Sequence, residues 1–118
     1  MNTERLKTGS GIYRKDDDMK GPLESKIENW LVEQIKQMGG IADKFTSPAN
    51  PGVPDRLVIM PNGRIYFVEL KADWGRLSNI QKWQRERYRK HGADVRCIKG
   101  MDEAKAFVEE LKNEICTT

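Results

Sequence analysis

The chain has 118 residues and a formal net charge of +3, with 37% hydrophobic and 33% charged side chains. That length holds one domain with a real core, and no apolar run approaches the ~18 residues that a membrane span needs. No signal-peptide pattern opens the chain, and Cys97 and Cys116 suit neither a disulfide framework nor a zinc cluster, so a soluble cytoplasmic protein with reduced thiols is expected.

Residues 1–21 show no apolar periodicity and include the charged run Arg14-Lys15-Asp16-Asp17-Asp18. They are expected to form a flexible arm ahead of a folded domain over 22–118. A helix is predicted from Pro22, because Leu23, Ile27, Trp30, Leu31 and Met38 recur at helical spacing and Gly39-Gly40 stops the run. A short strand over 41–45 follows. The stretch Ser47-Pro48-Ala49-Asn50-Pro51-Gly52-Val53-Pro54 can only be a loop. Two apolar stretches, 55–60 and 64–71, joined by Pro61-Asn62-Gly63, read as a hairpin. Both are apolar on both faces, which places them inside a sheet covered on both sides. A second helix is predicted over 78–91 with Ser78 as N-cap and Gly92 as stop, then a strand over 93–98 and a closing helix over 102–111. The order α-β-β-β-α-β-α gives an α/β fold, a mixed four-stranded sheet between helices in a three-layer α/β/α sandwich.

The chemistry concentrates in Asp55 and, fourteen positions on, in Glu69-Leu70-Lys71. On a strand Glu69 and Lys71 share one face and Leu70 takes the other. A salt bridge on a solvated edge would explain such a pair, but the flanking Tyr66-Phe67-Val68 and Leu70 are strongly apolar. Charges embedded there are costly unless compensated. Hairpin register decides what Glu69 meets. If Pro61-Asn62-Gly63 is a three-residue loop with Gly63 left-handed, Asp55 lies opposite Glu69 on the same face, with side-chain roots ~5 Å apart. A two-residue Asn62-Gly63 turn would pair Asp55 with Leu70 instead and separate the carboxylates. The turn chemistry permits either. In the first case the two carboxylates repel by ~4 kcal/mol at ~4 Å and an effective dielectric of ~20. A hard divalent cation resolves that repulsion, since Mg²⁺ takes one or two carboxylates and keeps waters and a phosphate oxygen. Lys71 would then orient the attacking water or offset charge building on phosphorus.

Charge is unevenly distributed. From Arg76 to Lys99 eight Lys and Arg face only Glu86 and Asp94, whereas from Gly100 onward two lysines face five acids. A basic block beside an acidic tail suits a polyanion, although a solvated helix gives the same count. Lys82, Arg85 and Arg89 share one outer helical face and, with Arg76 in the preceding loop, could grip the backbone phosphates of such a polyanion without reading bases. Lys44 is a further candidate for phosphate contact. Gln81 falls with Leu77, Ile80, Gln84 and Tyr88 on the inward stripe, where an amide needs a partner, either in the site or at a sheet-end carbonyl. The single histidine, His91, has no companions for a zinc site. With no Gly-rich phosphate loop, no nucleotide cofactor is expected.

These residues resemble the PD-(D/E)xK nuclease superfamily, and more narrowly its VRR-NUC group of viral and bacterial nucleases, over about 23–98. The most specific stretch is Gly52-Val53-Pro54-Asp55-Arg56-Leu57, followed by Phe67-Val68-Glu69-Leu70-Lys71 and by Gly75-Arg76-Leu77-Ser78 with Gln81. The resemblance implies a restriction-endonuclease-like core with Asp55 and Glu69 as metal ligands, the Leu70 backbone carbonyl as a third, and Lys71 as the catalytic lysine. It implies that Glu24 is the acidic residue of the first helix that helps bind metal or water, preferred over nearby Glu28 because it flanks the buried stripe. Gln81 matches the family's glutamine after the catalytic strand. The implied activity is a Mg²⁺- or Mn²⁺-dependent endonuclease acting on branched or duplex DNA. Its stand-alone relatives resemble Holliday-junction resolvases, which implies a homodimer in bacterial cytoplasm or a virus-infected host cell. Ala72-Asp73-Trp74 departs from the small residues or proline usual after the lysine and leaves substrate choice open. The competing expectations are a non-catalytic nucleic-acid-binding module that kept the fold, and a protein whose basic helix docks on an acidic partner.

Overall fold

The computed structural model describes residues 15–117, with side chains described from 23 to 116. The chain forms α1 (Lys15–Gln37), β1 (Ile41–Lys44), β2 (Arg56–Ile59), β3 (Ile65–Lys71), α2 (Asn79–Lys90), β4 (Val95–Lys99) and α3 (Gly100–Thr117). This is the predicted order. Helix α1 starts earlier than Pro22, so it takes in residues 15–21 of the expected arm; the remainder of that arm, 1–14, lies outside the described residues. At its other end the Gly40 amide reaches back to the Ile35 carbonyl at 2.9 Å, which satisfies a carbonyl that the last helical turn leaves open. No described helix is long and apolar enough to cross a membrane.

The strands form one sheet in the order β1-β2-β3-β4, antiparallel at the first two pairings and parallel at the third. Helix α2 connects the parallel pair. Pairing of Arg56 with Val68 and Ile59 with Ile65 selects the three-residue loop. That loop is closed by the Gly63 amide on the Met60 carbonyl at 2.9 Å, with Gly63 at φ +88°. Only glycine reaches that backbone region without strain. The Asn62 side chain accepts the Arg64 amide at 3.0 Å and stiffens the same turn.

One sheet face carries the core. Val58, Tyr66, Val68, Leu70 and Ile98 pack against Ile27, Leu31 and Ile35 of α1 and against Ala104, Phe107, Val108 and Leu111 of α3. On the other face Phe67 meets Tyr88 of α2 edge-on, with ring centroids 5.2 Å apart. Coverage on both sides was expected of the two central strands. The second face is covered less, because α2 spans only Asn79–Lys90 and packs on β4, leaving Ile41 and Ile65 each 49% exposed.

Strand β4 is tied to α3 by charge as well as by packing. The Arg96 guanidinium lies 5.4 Å from the Tyr66 ring and 5.5 Å from the Phe107 ring, and donates to both Glu110 carboxylate oxygens at 2.8 Å. Hydrogen bonding to Arg96 holds the Glu110 carboxyl below its ordinary value of 4.5, against the opposing effect of partial burial. A carboxyl that releases its proton more readily when folded stabilises the fold above its unfolded pKa. That contribution is lost as pH falls through the lower folded value. Thermal melting of Glu110→Gln is therefore expected to show a smaller drop in midpoint than the wild type between about pH 6 and about pH 3. Parallel pH slopes for the two proteins would show that the bridge contributes nothing.

Candidate active site

The site forms where β2 begins and β3 ends. Asp55 directly precedes β2, and its carbonyl accepts the Phe45 amide at 2.8 Å, which continues the β1–β2 pairing by one step. Carried one step further, the β2–β3 register sets Asp55 across from Glu69. Lys71 follows two positions along β3 on the face of Glu69, while Leu70 turns into the core.

These side chains open into one cavity of about 480 Å³, whose wall includes Glu24, Asp55, Glu69, Lys71, Trp74 and Gln81. Glu69 and Lys71 keep only 12% and 21% of their side-chain surface exposed, and the Lys71 Nζ stands 3.8 Å from Glu69 Oε2. The Gln81 Nε2 donates to the same carboxylate oxygen at 3.3 Å.

The amide orientation of Gln81 follows from the start of α2. Ser78 caps the helix by accepting the Gln81 amide at 3.2 Å, and the Gln81 Oε1 accepts the Ser78 amide at 2.8 Å. This reciprocal pair satisfies two helix-end donors at once. It also occupies the oxygen end of the Gln81 side chain, which leaves the nitrogen end to face Glu69. Gln84 serves differently: it is 2% exposed and donates to the Pro51 carbonyl at 2.9 Å. Gln81 thus pairs with the Glu69 carboxylate at the cavity and not with a sheet-end carbonyl, while Gln84 takes a loop carbonyl. The loop also presses on α2 at Gly52, where an added Cβ would lie 2.9 Å from the Ile80 backbone.

Two glutamates of helix α1, Glu24 and Glu28, have separate surroundings. Glu24 lines the cavity. Glu28 instead accepts from Arg56 and lies 3.4 Å from the Lys44 Nζ. Burial pushes the Glu28 carboxyl up, but Arg56 and then Lys44 outweigh it and leave the group below its ordinary value. Arg56 also donates to the Ala42 carbonyl at 3.0 Å. This network pins α1 to the sheet and engages Lys44, which is not part of the cavity wall.

The basic residues divide in a similar way. Arg76 lines the cavity and is exposed, as is Lys82. Arg85 pairs with Glu86 at 3.2 Å, and Arg89 donates to the Val95 carbonyl at 2.6 Å while standing 3.7 Å from Glu86. Among the described residues no group of three or more His, Cys, Asp or Glu side chains is placed to hold a metal ion. Asp55 and Glu69 are a pair, and a pair of hard oxygen donors fits Mg²⁺, which keeps several waters in its shell. Sequence reasoning missed the orienting part of Ser78 beyond its cap, though the Ser-x-x-Gln spacing carries that signal. It also missed Cys97, which lies beside Glu69 across the parallel pairing.

No family model matches the chain. A solved structure described as "VRR_NUC domain" superposes with a TM-score of 0.70 at 30% identity, over 75% of this chain and 97% of that one. A second, "VRR_NUC domain protein", superposes with a TM-score of 0.56 at 20% identity, over 78% and 89%, and shares the fold. "Putative nuclease p44" of Acyrthosiphon pisum secondary endosymbiont phage 1 is 59% identical over 49 residues, which cover 42% of this chain and 53% of that protein. The chain thus spans about half the length of the curated relative it matches.

Removal of the capping hydroxyl tests the support of the site. Ser78→Ala is expected to lower stability by about 1 kcal/mol, and Ser78→Thr to restore most of it. The measurement is the midpoint of urea unfolding at neutral pH; an unchanged midpoint in the alanine variant would mean that the cap does not hold α2.

Proposed function

The chain belongs to the VRR_NUC domain family, and from that premise we propose that it is a Mg²⁺- or Mn²⁺-dependent endonuclease that hydrolyses phosphodiester bonds in DNA. The observation that carries the reading is the convergence of Asp55, Glu69 and Lys71 on one cavity, with Gln81 behind Glu69. A binding module has no use for two inward carboxylates where a phosphate must come.

Asp55 and Glu69, with the Leu70 backbone carbonyl, would hold the ion. Once bound, such an ion polarises the phosphate and lowers the pKa of a coordinated water. Gln81 keeps the Glu69 carboxylate turned toward the cavity, because its own amide is fixed by Ser78. Lys71, 3.8 Å from Glu69, places a positive charge where negative charge grows on the phosphoryl oxygens. Glu24 faces the cavity from α1 and is suited to accept a hydrogen bond from the attacking water. Arg76 and Lys82 supply exposed positive charge for the phosphates of the bound strand, and Arg85, Arg89 and Lys44 add to the field from their ion pairs. A branched substrate cut on two strands needs two such sites, which a homodimer provides. The chain would work in the cytoplasm of a bacterium or of an infected host cell.

Incubation of the protein with supercoiled plasmid and with a four-way junction, in Mg²⁺, Mn²⁺ or EDTA, tests this reading. Cleavage is expected only with metal, and Asp55→Ala or Glu69→Gln is expected to reduce its rate by about a hundredfold or more. Binding of either DNA without cleavage in any metal would refute the hydrolytic reading and favour a module that kept the fold. A faster cut in the junction than in the plasmid is the outcome expected of a structure-selective enzyme.

A further inference from the structure

Trp74 is unusual in the cavity wall. It borders the same space as Glu69 and Lys71, yet it is 54% exposed. An aromatic ring of this size contributes most when its faces are covered. The turn that carries it is held at both flanks. The Gly75 amide donates to the Ala72 carbonyl at 2.8 Å, and Gly75 lies so close to β3 that an added Cβ would sit 3.0 Å from the Lys71 Cβ. On the other flank the Asp73 carboxylate fills the space beside Gly100 at the start of α3, where an added Cβ would fall 1.7 Å from Asp73 Oδ1. The indole therefore projects from a fixed turn directly after Lys71, with the exposed Arg76 two residues on. A flat side chain on a fixed turn loses little freedom when something settles on it.

We propose that Trp74 is a stacking platform for one unpaired nucleobase next to the cleaved bond, so that the site takes DNA with single-stranded nucleotides in preference to fully paired duplex. Within a duplex the base faces are covered by their neighbours, and only an unpaired or flipped base offers its face to an indole. The polyanion that brings the base suits the wall of the cavity, since Arg76 and Lys71 flank the ring in sequence and line the same space. This subsite rests on the nuclease reading for its place in catalysis, but not for its binding.

Intrinsic fluorescence of the full chain tests it. Wild type, Trp74→Phe, Trp74→Ala and Trp83→Phe are titrated with a short oligothymidylate and with a blunt, fully paired duplex, both in EDTA so that nothing is cut. Trp83 is the control, being 56% exposed but on the outer side of α2 with Arg87 over its ring at 5.3 Å. Oligothymidylate is expected to quench the wild type and Trp83→Phe, and the quenching is expected to disappear in Trp74→Phe. Read by the anisotropy of dye-labelled DNA, Trp74→Ala should bind oligothymidylate about tenfold more weakly, with little change for the duplex. The proposal is overturned by an unquenched wild type, by equal losses on both DNAs, or by emission that shifts with protein concentration instead, which would mean that a second copy covers the ring. Cleavage without quenching sinks the subsite and leaves the nuclease. Quenching without cleavage in any metal does the reverse.

Discussion

The site depends on the register of a single hairpin. With Gly63 left-handed and the loop three residues long, paired positions across β2 and β3 bring Asp55 over Glu69. A slip by one residue would turn every side chain of β2 to the opposite face. Asp55 would then leave the cavity, and Val58 would leave a core in which it is fully buried. The penalty for breaking the site and the penalty for breaking the core are thus the same penalty, which is why apolar packing can hold two like charges in an unfavourable place.

Much of this was legible beforehand, and the remainder was hidden for physical reasons. The element order, the mixed sheet and the central position of β2 and β3 followed from apolar period and from turn residues. Register was left open because Asn62-Gly63 serves both a two-residue and a three-residue connection; the core on the far face decided it. The reach of α2 was also hidden. Its sequence marks where it starts and stops, but not that so short a helix would leave Ile41 and Ile65 half bare. Long charged side chains were the least legible. A helical wheel places Arg85 and Arg89 on an outer face, yet both lean onto Glu86, and Lys44 onto Glu28. The Lys44 contact joins two elements distant in sequence, which a one-dimensional pattern cannot register. The Glu86 pairs are local, and the i, i+3 spacing of Glu86 and Arg89 already carries one of them.

Helix α1 illustrates how a division of labour arises from spacing alone. Glu24 and Glu28 lie one turn apart and project from neighbouring positions on the helix. Glu28 meets the half-buried guanidinium of Arg56, which fastens the helix to the sheet. Glu24 is left at the cavity. Exchanging their environments would require sliding the helix along its axis by about one turn, ~6 Å, and the Arg56 contact resists that shift. The same acid type therefore becomes a fastener at one position and a candidate participant in chemistry at the next.

The two-ended use of Gln81 has a cost for the evolution of the chain. Glutamate has the same length, completes a capping box as readily, and is the better neighbour for the positive end of a helix. At this position it would strengthen α2 while setting a second negative charge against the Glu69 carboxylate. Selection for a sturdier fold and selection for a working cavity would pull position 81 in opposite directions. A neutral amide is the compromise that serves both.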